Sequence, residues 1–268
     1  MPPLATVACP PLKGSGAGAS AEAVDVWRMR VPPPGRAIRA LATALPAADR
    51  ERAARFSRDD ARARYLAGRY ALRTALGELL GTPPAELRFV RRCHRCGEAG
   101  HGKPALGWPG DERVDFNLAH SGALVAVAAV RKGRVGVDVE RLRPGLDVLG
   151  VARFALSAEE IAEIEGLPGP DERRAAFFRC WTRKEAYLKA RADGLPGSLR
   201  AWSVPCSRAP VVAPDVPGEP LAGERWQIGS LPLGSGYVGA VAYERGTGST
   251  TRPLQLHTVE RLEHIGGE

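Results

Sequence analysis

Val135-Gly136-Val137-Asp138-Val139-Glu140 alternates apolar residues with small or acidic ones without a break. In a strand, successive side chains point to opposite faces. Val135, Val137 and Val139 therefore share one face, while Asp138 and Glu140 share the other, about 7 Å apart along the backbone. Like-charged neighbours repel and raise each other's pKa. Either solvent takes up that charge, or a hard divalent cation such as Mg²⁺ does, held by carboxylates together with phosphate oxygens and water.

Working outward, the strand follows a turn, Arg131-Lys132-Gly133-Arg134, near the middle of the chain. Before it, Ala123–Val130 is all Ala, Val and Leu and reads as a buried strand, with Val114–Leu118 and Leu87–Arg91 as shorter ones. A short helix is predicted over Ala47–Phe56, and a second from a Ser57/Asp60 cap to about Leu80, stopped by Gly81 and Pro83. Val24–Val31 (VDVWRMRV) alternates as a strand and is stopped by three prolines. On the second helix Arg62, Arg69 and Arg73 fall in one narrow sector, either a solvated flank or a phosphate-attracting face. After the turn, Ser157-Ala158-Glu159-Glu160 is a capping box opening a helix that ends near Gly166, and a longer helix runs over about Asp171–Ala192. Short strands follow at Trp202–Val204, Trp226–Ile228 and Tyr237–Tyr243. The two halves offer strands and helices in similar order, so the fold class is α+β, with α/β lobes over 21–133 and 134–245. A flexible tail, 1–20, precedes them, and a loosely ordered one, 246–268, follows.

Lys and Arg number 38 against 30 Asp and Glu in 268 residues, a formal charge of +8, with 44% hydrophobic and 25% charged residues. That balance excludes wholesale disorder and suits an anionic partner. The longest apolar run, Ala123–Val130, is too short to span a membrane. The first twenty residues do not read as a secretory signal, and the five cysteines are expected as reduced thiols of the cytoplasm.

Two further blocks carry chemistry. In FFRCWTRKEAYLK (Phe177–Lys189), Trp181, Glu185 and Lys189 are successive i,i+4 neighbours on a helix whose aromatic residues mark it as buried, so its charges need partners. In KPALGWPGDERVDFNLAHSG (Lys103–Gly122), His120 and Ser121 close a strand and open a turn. That position serves structure, or meets an anion.

Taken together, GRYALR (Gly68–Arg73), HGKP (His101–Pro104), FNLAHS (Phe116–Ser121), GVDVE (Gly136–Glu140) and WTRKEAYLK (Trp181–Lys189) resemble the Sfp-type 4′-phosphopantetheinyl transferases, with 47 residues between Asp138 and Glu185. The resemblance covers roughly Val24–Tyr243. It implies an enzyme that moves the phosphopantetheine arm of coenzyme A to a serine of an apo acyl or peptidyl carrier protein, leaving adenosine 3′,5′-bisphosphate. It also implies a pseudo-two-fold pair of lobes with the active site in the cleft, and a monomer is expected. By the same resemblance, Asp138, Glu140 and Glu185 hold Mg²⁺, Glu185 takes the serine proton, and Lys189 binds the pyrophosphate. Arg69 or Arg73, Lys103-Pro104, His120, Ser121 and Lys184 are expected around the nucleotide. Polyketide or nonribosomal-peptide carriers fit this setting, and neither nucleic acid nor membrane is expected as a partner.

Departures from the family pattern are Ala119, where Ser is frequent, and Ala192, where Gly is common. Cys93, Cys96 and His101 add a C-x₂-C-x₄-H insertion resembling half of a Zn²⁺ site. With no fourth ligand evident, ordinary thiols are the favoured reading over Zn²⁺. The rival classes are a basic zinc-knuckle-like nucleic-acid-binding protein, which leaves GVDVE and WTRKEAYLK unexplained, and a non-catalytic CoA-binding regulator.

Overall fold

A computed structural model describes residues 23–92, 96–107, 114–192, 199–207, 211–212, 225–246 and 252–259. The first half contains β1 (Val24–Arg30), α1 (Arg36–Thr43), α2 (Ala47–Ala54), α3 (Asp59–Leu80), β2 (Phe89–Arg92), β3 (Ala99–Leu106), β4 (Val114–Ser121) and β5 (Leu124–Arg131). The second contains β6 (Val135–Arg141), α4 (Val148–Ala155), α5 (Ala158–Glu165), α6 (Pro170–Arg191), β7 (Val211–Val212), β8 (Trp226–Ser230) and β9 (Tyr237–Glu244), and the chain returns as β10 (Leu254–Thr258). Two four-stranded sheets have the orders β10-β1-β5-β4 and β6-β9-β8-β7, and β2-β3 form a separate hairpin. The halves trace one path twice. Among the described residues, each has a first strand, three α-helices of which the last has 22 residues, and a late antiparallel pair whose final strand joins the first.

Alternation explains how the layers stack. Val125, Val127 and Ala129 of β5 join Trp27, Met29 and the α3 residues Ala71, Leu72 and Leu76 in one core. Ala126, Ala128 and Val130 face the other way and, with Val24 and Val26, meet Val135, Val137, Val139, Val241 and Tyr243 of the second sheet. β5 is thus buried on both faces, as its unbroken apolar sequence requires. A third core gathers Phe177, Phe178, Tyr187, Trp202, Trp226 and Ile228 beneath α6.

The lobes meet where β4 runs beside β6. Asp115 accepts a hydrogen bond from the Val135 amide at 2.7 Å, Asn117 from Val137 at 3.1 Å, and Ser121 from Arg141 at 3.1 Å. Side chains of one strand thus satisfy the outer amides of the other. Ala119 stands where a rung to Val139 would fall.

Gly136 sets the approach of α6 to β6. A Cβ at this position would overlap the Ala186 carbonyl and the Ala190 amide. Ala186 and Ala190 are themselves fully buried, so strand and helix touch backbone to backbone.

The Ser157/Glu160 capping box forms as expected. Other expectations change. Ser57 does not cap α3; Arg58 is its N-cap residue, with no side-chain cap bond. Trp202–Val204 is not a strand: a 3₁₀ turn, Leu199–Ala201, leads into a buried irregular segment. That segment packs along α6 and brings Cys206 to Cys180 in a disulfide, Cα atoms 5.4 Å apart, where reduced thiols were expected. The C-terminal stretch read as loosely ordered contains β10, parallel to β1. His257 Nε2 lies 2.7 Å from Asp25 Oδ1 and its ring stacks on Trp27, while Arg252 donates to the carbonyls of Glu244 and Lys132. These contacts are distant in sequence and leave no local pattern. The tail over 1–20 lies outside the described residues.

Candidate active site

Close packing at Gly136 lays α6 over the acidic face of β6. Lys189 Nζ reaches Asp138 Oδ1 at 2.6 Å. Asp138 is 6% exposed, and its second oxygen, Oδ2, is buried without a hydrogen-bond partner. Burial raises its carboxyl to about 6 in spite of Lys189, and the neighbouring charges of Glu140 and Glu185 push the same way. Three carboxylates from two elements therefore bear on one another. Glu140 accepts from the Ser121 hydroxyl at 2.6 Å and lies 3.4 Å from Arg143. Glu185 is half-buried, one helical turn before Lys189.

An orphaned carboxylate oxygen among like charges is a site short of positive charge. An all-oxygen donor set of this kind suits a hard divalent cation. The residues present fit Mg²⁺.

His120, beside Ser121 at the end of β4, joins this cluster to a cavity of about 470 Å³. The cavity wall includes Arg52, Arg64, Arg69, Arg91 and Pro104. Asp49, 6% exposed, receives Arg69 Nε at 2.8 Å, and the Arg69 guanidinium lies 4.5 Å above the Phe89 ring. Lost hydration, reinforced by the cations Arg64 and Lys189, holds the His120 imidazole below its ordinary value. His120 lines the cavity, and its chain neighbour Ser121 bonds to Glu140, so this end of β4 borders both the cavity and the acids. A strongly cationic recess beside a carboxylate cluster can seat a polyanion with its reacting end at the acids.

Several residues expected around the nucleotide lie away from the cavity wall. Arg73 is buried and spent on Asp49 at 2.7 Å and on the carbonyls of Pro84 and Leu87. Lys103 is held by Asp115 at 2.5 Å and the Val135 carbonyl at 2.6 Å, at the seam between lobes rather than in the cavity. Lys184 lies on another side of α6, fully buried against Glu160 at 2.6 Å and the carbonyls of Leu199 and Trp202. Ser121 supports Glu140 instead of lining the cavity. Arg62 pairs with Asp59 at 2.5 Å on the surface. The sequence reading did not place Arg52, Arg64 or Arg91 beside a nucleotide; they come from three elements with no common period. Cys96 and His101 lie together and exposed on the β2–β3 hairpin, and Cys93 lies outside the described residues.

Two family models match the chain: the 4′-phosphopantetheinyl transferase superfamily over residues 134–242, and the N-terminal 4′-phosphopantetheinyl transferase domain over 32–132. The matches meet at the turn joining β5 to β6. The chain is similar to the 4′-phosphopantetheinyl transferase HetI of Nostoc sp., 35% identical over 173 residues, which are 64% of this chain and 70% of that protein. It is also similar to a 4′-phosphopantetheinyl transferase of Bacillus subtilis, 30% identical over 61% of this chain and 67% of that one. For AcpT of Salmonella typhimurium the identity is 38%, over 53% and 62%.

Proposed function

Since the chain belongs to the 4′-phosphopantetheinyl transferase superfamily, we propose how its residues divide the reaction. It moves the phosphopantetheine arm of coenzyme A to a serine of an apo carrier protein. The serine oxygen bonds to the phosphorus carrying the pantetheine, the bond from that phosphorus to the bridging oxygen breaks, and adenosine 3′,5′-bisphosphate leaves. The observation that carries the assignment is the adjacency, through His120 and Ser121 at the end of β4, of an arginine-lined cavity and an acid cluster that holds a buried carboxylate with an unpartnered oxygen.

Arg52, Arg64, Arg69 and His120 bind the nucleotide end, where several phosphate charges meet several fixed cations. Asp49 orients Arg69, whose guanidinium lies over the Phe89 ring at the wall. Asp138, Glu140 and Glu185 hold Mg²⁺, which supplies charge neutralisation and alignment at the pyrophosphate when bound. Ser121 and Arg143 fix Glu140. Glu185, half-buried and next to solvent, accepts the proton of the incoming serine. Lys189, 31% exposed at its side chain, meets the leaving oxygen's negative charge. The carrier is of acyl or peptidyl type, polyketide and nonribosomal-peptide carriers included, and the reaction is cytoplasmic.

Intact-mass analysis of apo carriers incubated with the protein, coenzyme A and Mg²⁺ tests this. The expected result is a gain of one phosphopantetheine, abolished by EDTA and slowed about 10²–10⁴-fold in Glu185→Gln, with coenzyme A still bound by the variant. No gain on acyl, polyketide or peptide carriers, or full turnover in Glu185→Gln, overturns the assignment.

A further inference from the structure

The Cys/His insertion has no part in the reaction assigned above. Cys96, Glu98 and His101 are all exposed, yet their ligand atoms converge to within 4.8 Å of one another. Cys96 Sγ lies 3.3 Å from His101 Nε2, and Glu98 Oε2 lies 3.8 Å from the same nitrogen. Donors bonded to one tetrahedral ion at 2.0–2.3 Å stand roughly 3.3–3.8 Å apart. A thiol, an imidazole and a carboxylate form a donor set suited to Zn²⁺, with a fourth position for water. Glu98, which the C-x₂-C-x₄-H spacing does not include, is thus the third protein donor beside Cys96 and His101.

The backbone is bent to make this convergence. Arg91 of β2 faces Pro104 of β3, while the next residue, Arg92, faces Ala99. Residues 100–103 thus bulge out of the ladder with no counterpart on β2. Gly100 and Gly102, at φ 94° and 92°, bracket His101, and Gly97, at φ 74°, separates Cys96 from Glu98. Only glycine takes such conformations without strain. The hairpin spends three glycines on turning its donors toward one point.

We propose that Cys96, Glu98 and His101 bind one Zn²⁺ per chain. The ion clips the distal end of the hairpin whose other end, through Phe89, Val90, Arg91 and Pro104, lines the cationic cavity. It is separate from the acidic cluster in both place and donor type.

The test uses the full chain, demetallated and then titrated with Zn²⁺ and, separately, with Co²⁺ as a spectroscopic stand-in. Expected are one Zn²⁺ bound per chain at micromolar affinity or tighter, and a Co²⁺ complex with thiolate charge-transfer absorption. Cys96→Ser should lose that absorption, and His101→Ala and Glu98→Gln should weaken Zn²⁺ by about tenfold or more. All three side chains are exposed, and unchanged melting of the metal-free variants establishes that they fold. No stoichiometric binding at micromolar Zn²⁺, or Co²⁺ spectra in Cys96→Ser equal to those of the parent, overturns the proposal. Carrier modification with Mg²⁺ reads the transferase independently, so either assignment can fail alone.

Discussion

Two residues show the strain that a working site and an imperfect cap leave in the chain. α3 ends at Gly81 with φ 64°, whereas α6 ends at Ala192 with φ 62°. The left-handed conformation crowds a Cβ, so Ala192→Gly should stabilise the protein by about 1 kcal/mol, read as a higher urea midpoint with unchanged activity. Asp138 carries a different cost. Its carboxyl binds a proton more tightly in the folded chain than in the unfolded one, so stability of the metal-free protein falls as pH rises from 3.8 to about 6, and stays reduced above. That rise corresponds to roughly 3 kcal/mol. Asp138→Asn in EDTA should therefore melt higher than the parent at pH 8, by roughly 1–3 kcal/mol after loss of the Lys189 pair, with the gap closing near pH 4. A parent protein more stable than the variant at pH 8 would contradict this account.

At the scale of elements, contact between β6 and α6 decides whether acids and base share a site. Gly136 permits it, because side chains at 186 and 190 are also small. Gly136→Ala must push strand and helix apart, since backbone atoms cannot swing away as a side-chain end would. The expected outcome is a stability loss of about 1–3 kcal/mol or more and loss of carrier modification, with coenzyme A binding largely retained because the cavity belongs to the other lobe. Calorimetric titration with coenzyme A separates the two effects. The alternation of GVDVE was legible without a structure, and so was the shared face of Asp138 and Glu140. The role of its glycine was not, because it depends on a helix fifty residues away.

For the whole molecule, the repeated path of the two lobes leaves β4 and β6 edge to edge, stitched by Asp115, Asn117 and Ser121. The residue spacing of those bonds is constant at 20, and position 119 is the gap in the series. Ala119→Ser should add a hydrogen bond to the Val139 amide and about 0.5–1.5 kcal/mol of stability. Thermal unfolding of the variant checks it; an unchanged midpoint would mean that the seam has no open rung. The far C-terminal strand completes the first lobe after the chain has built the second, and Arg252 ties its entry to the crossover turn. Such a return has only long-range causes, so the sequence read as a tail.

What the sequence by itself determined was whatever depends on local period and residue type: the buried β5, the acid-bearing β6, the α5 capping box, the long α6 and the family pattern of motifs. Tertiary structure alone decided which charges are available. Arg73, Lys103 and Lys184 read alike in a string of letters, yet in the structure they pair with Asp49, Asp115 and Glu160, because a buried cation must find its counter-charge in the fold. Arg52, Arg64 and Arg91 became a cavity wall only when three elements met. Ion pairing and cavity lining are properties of distances between segments, and no window of sequence carries them.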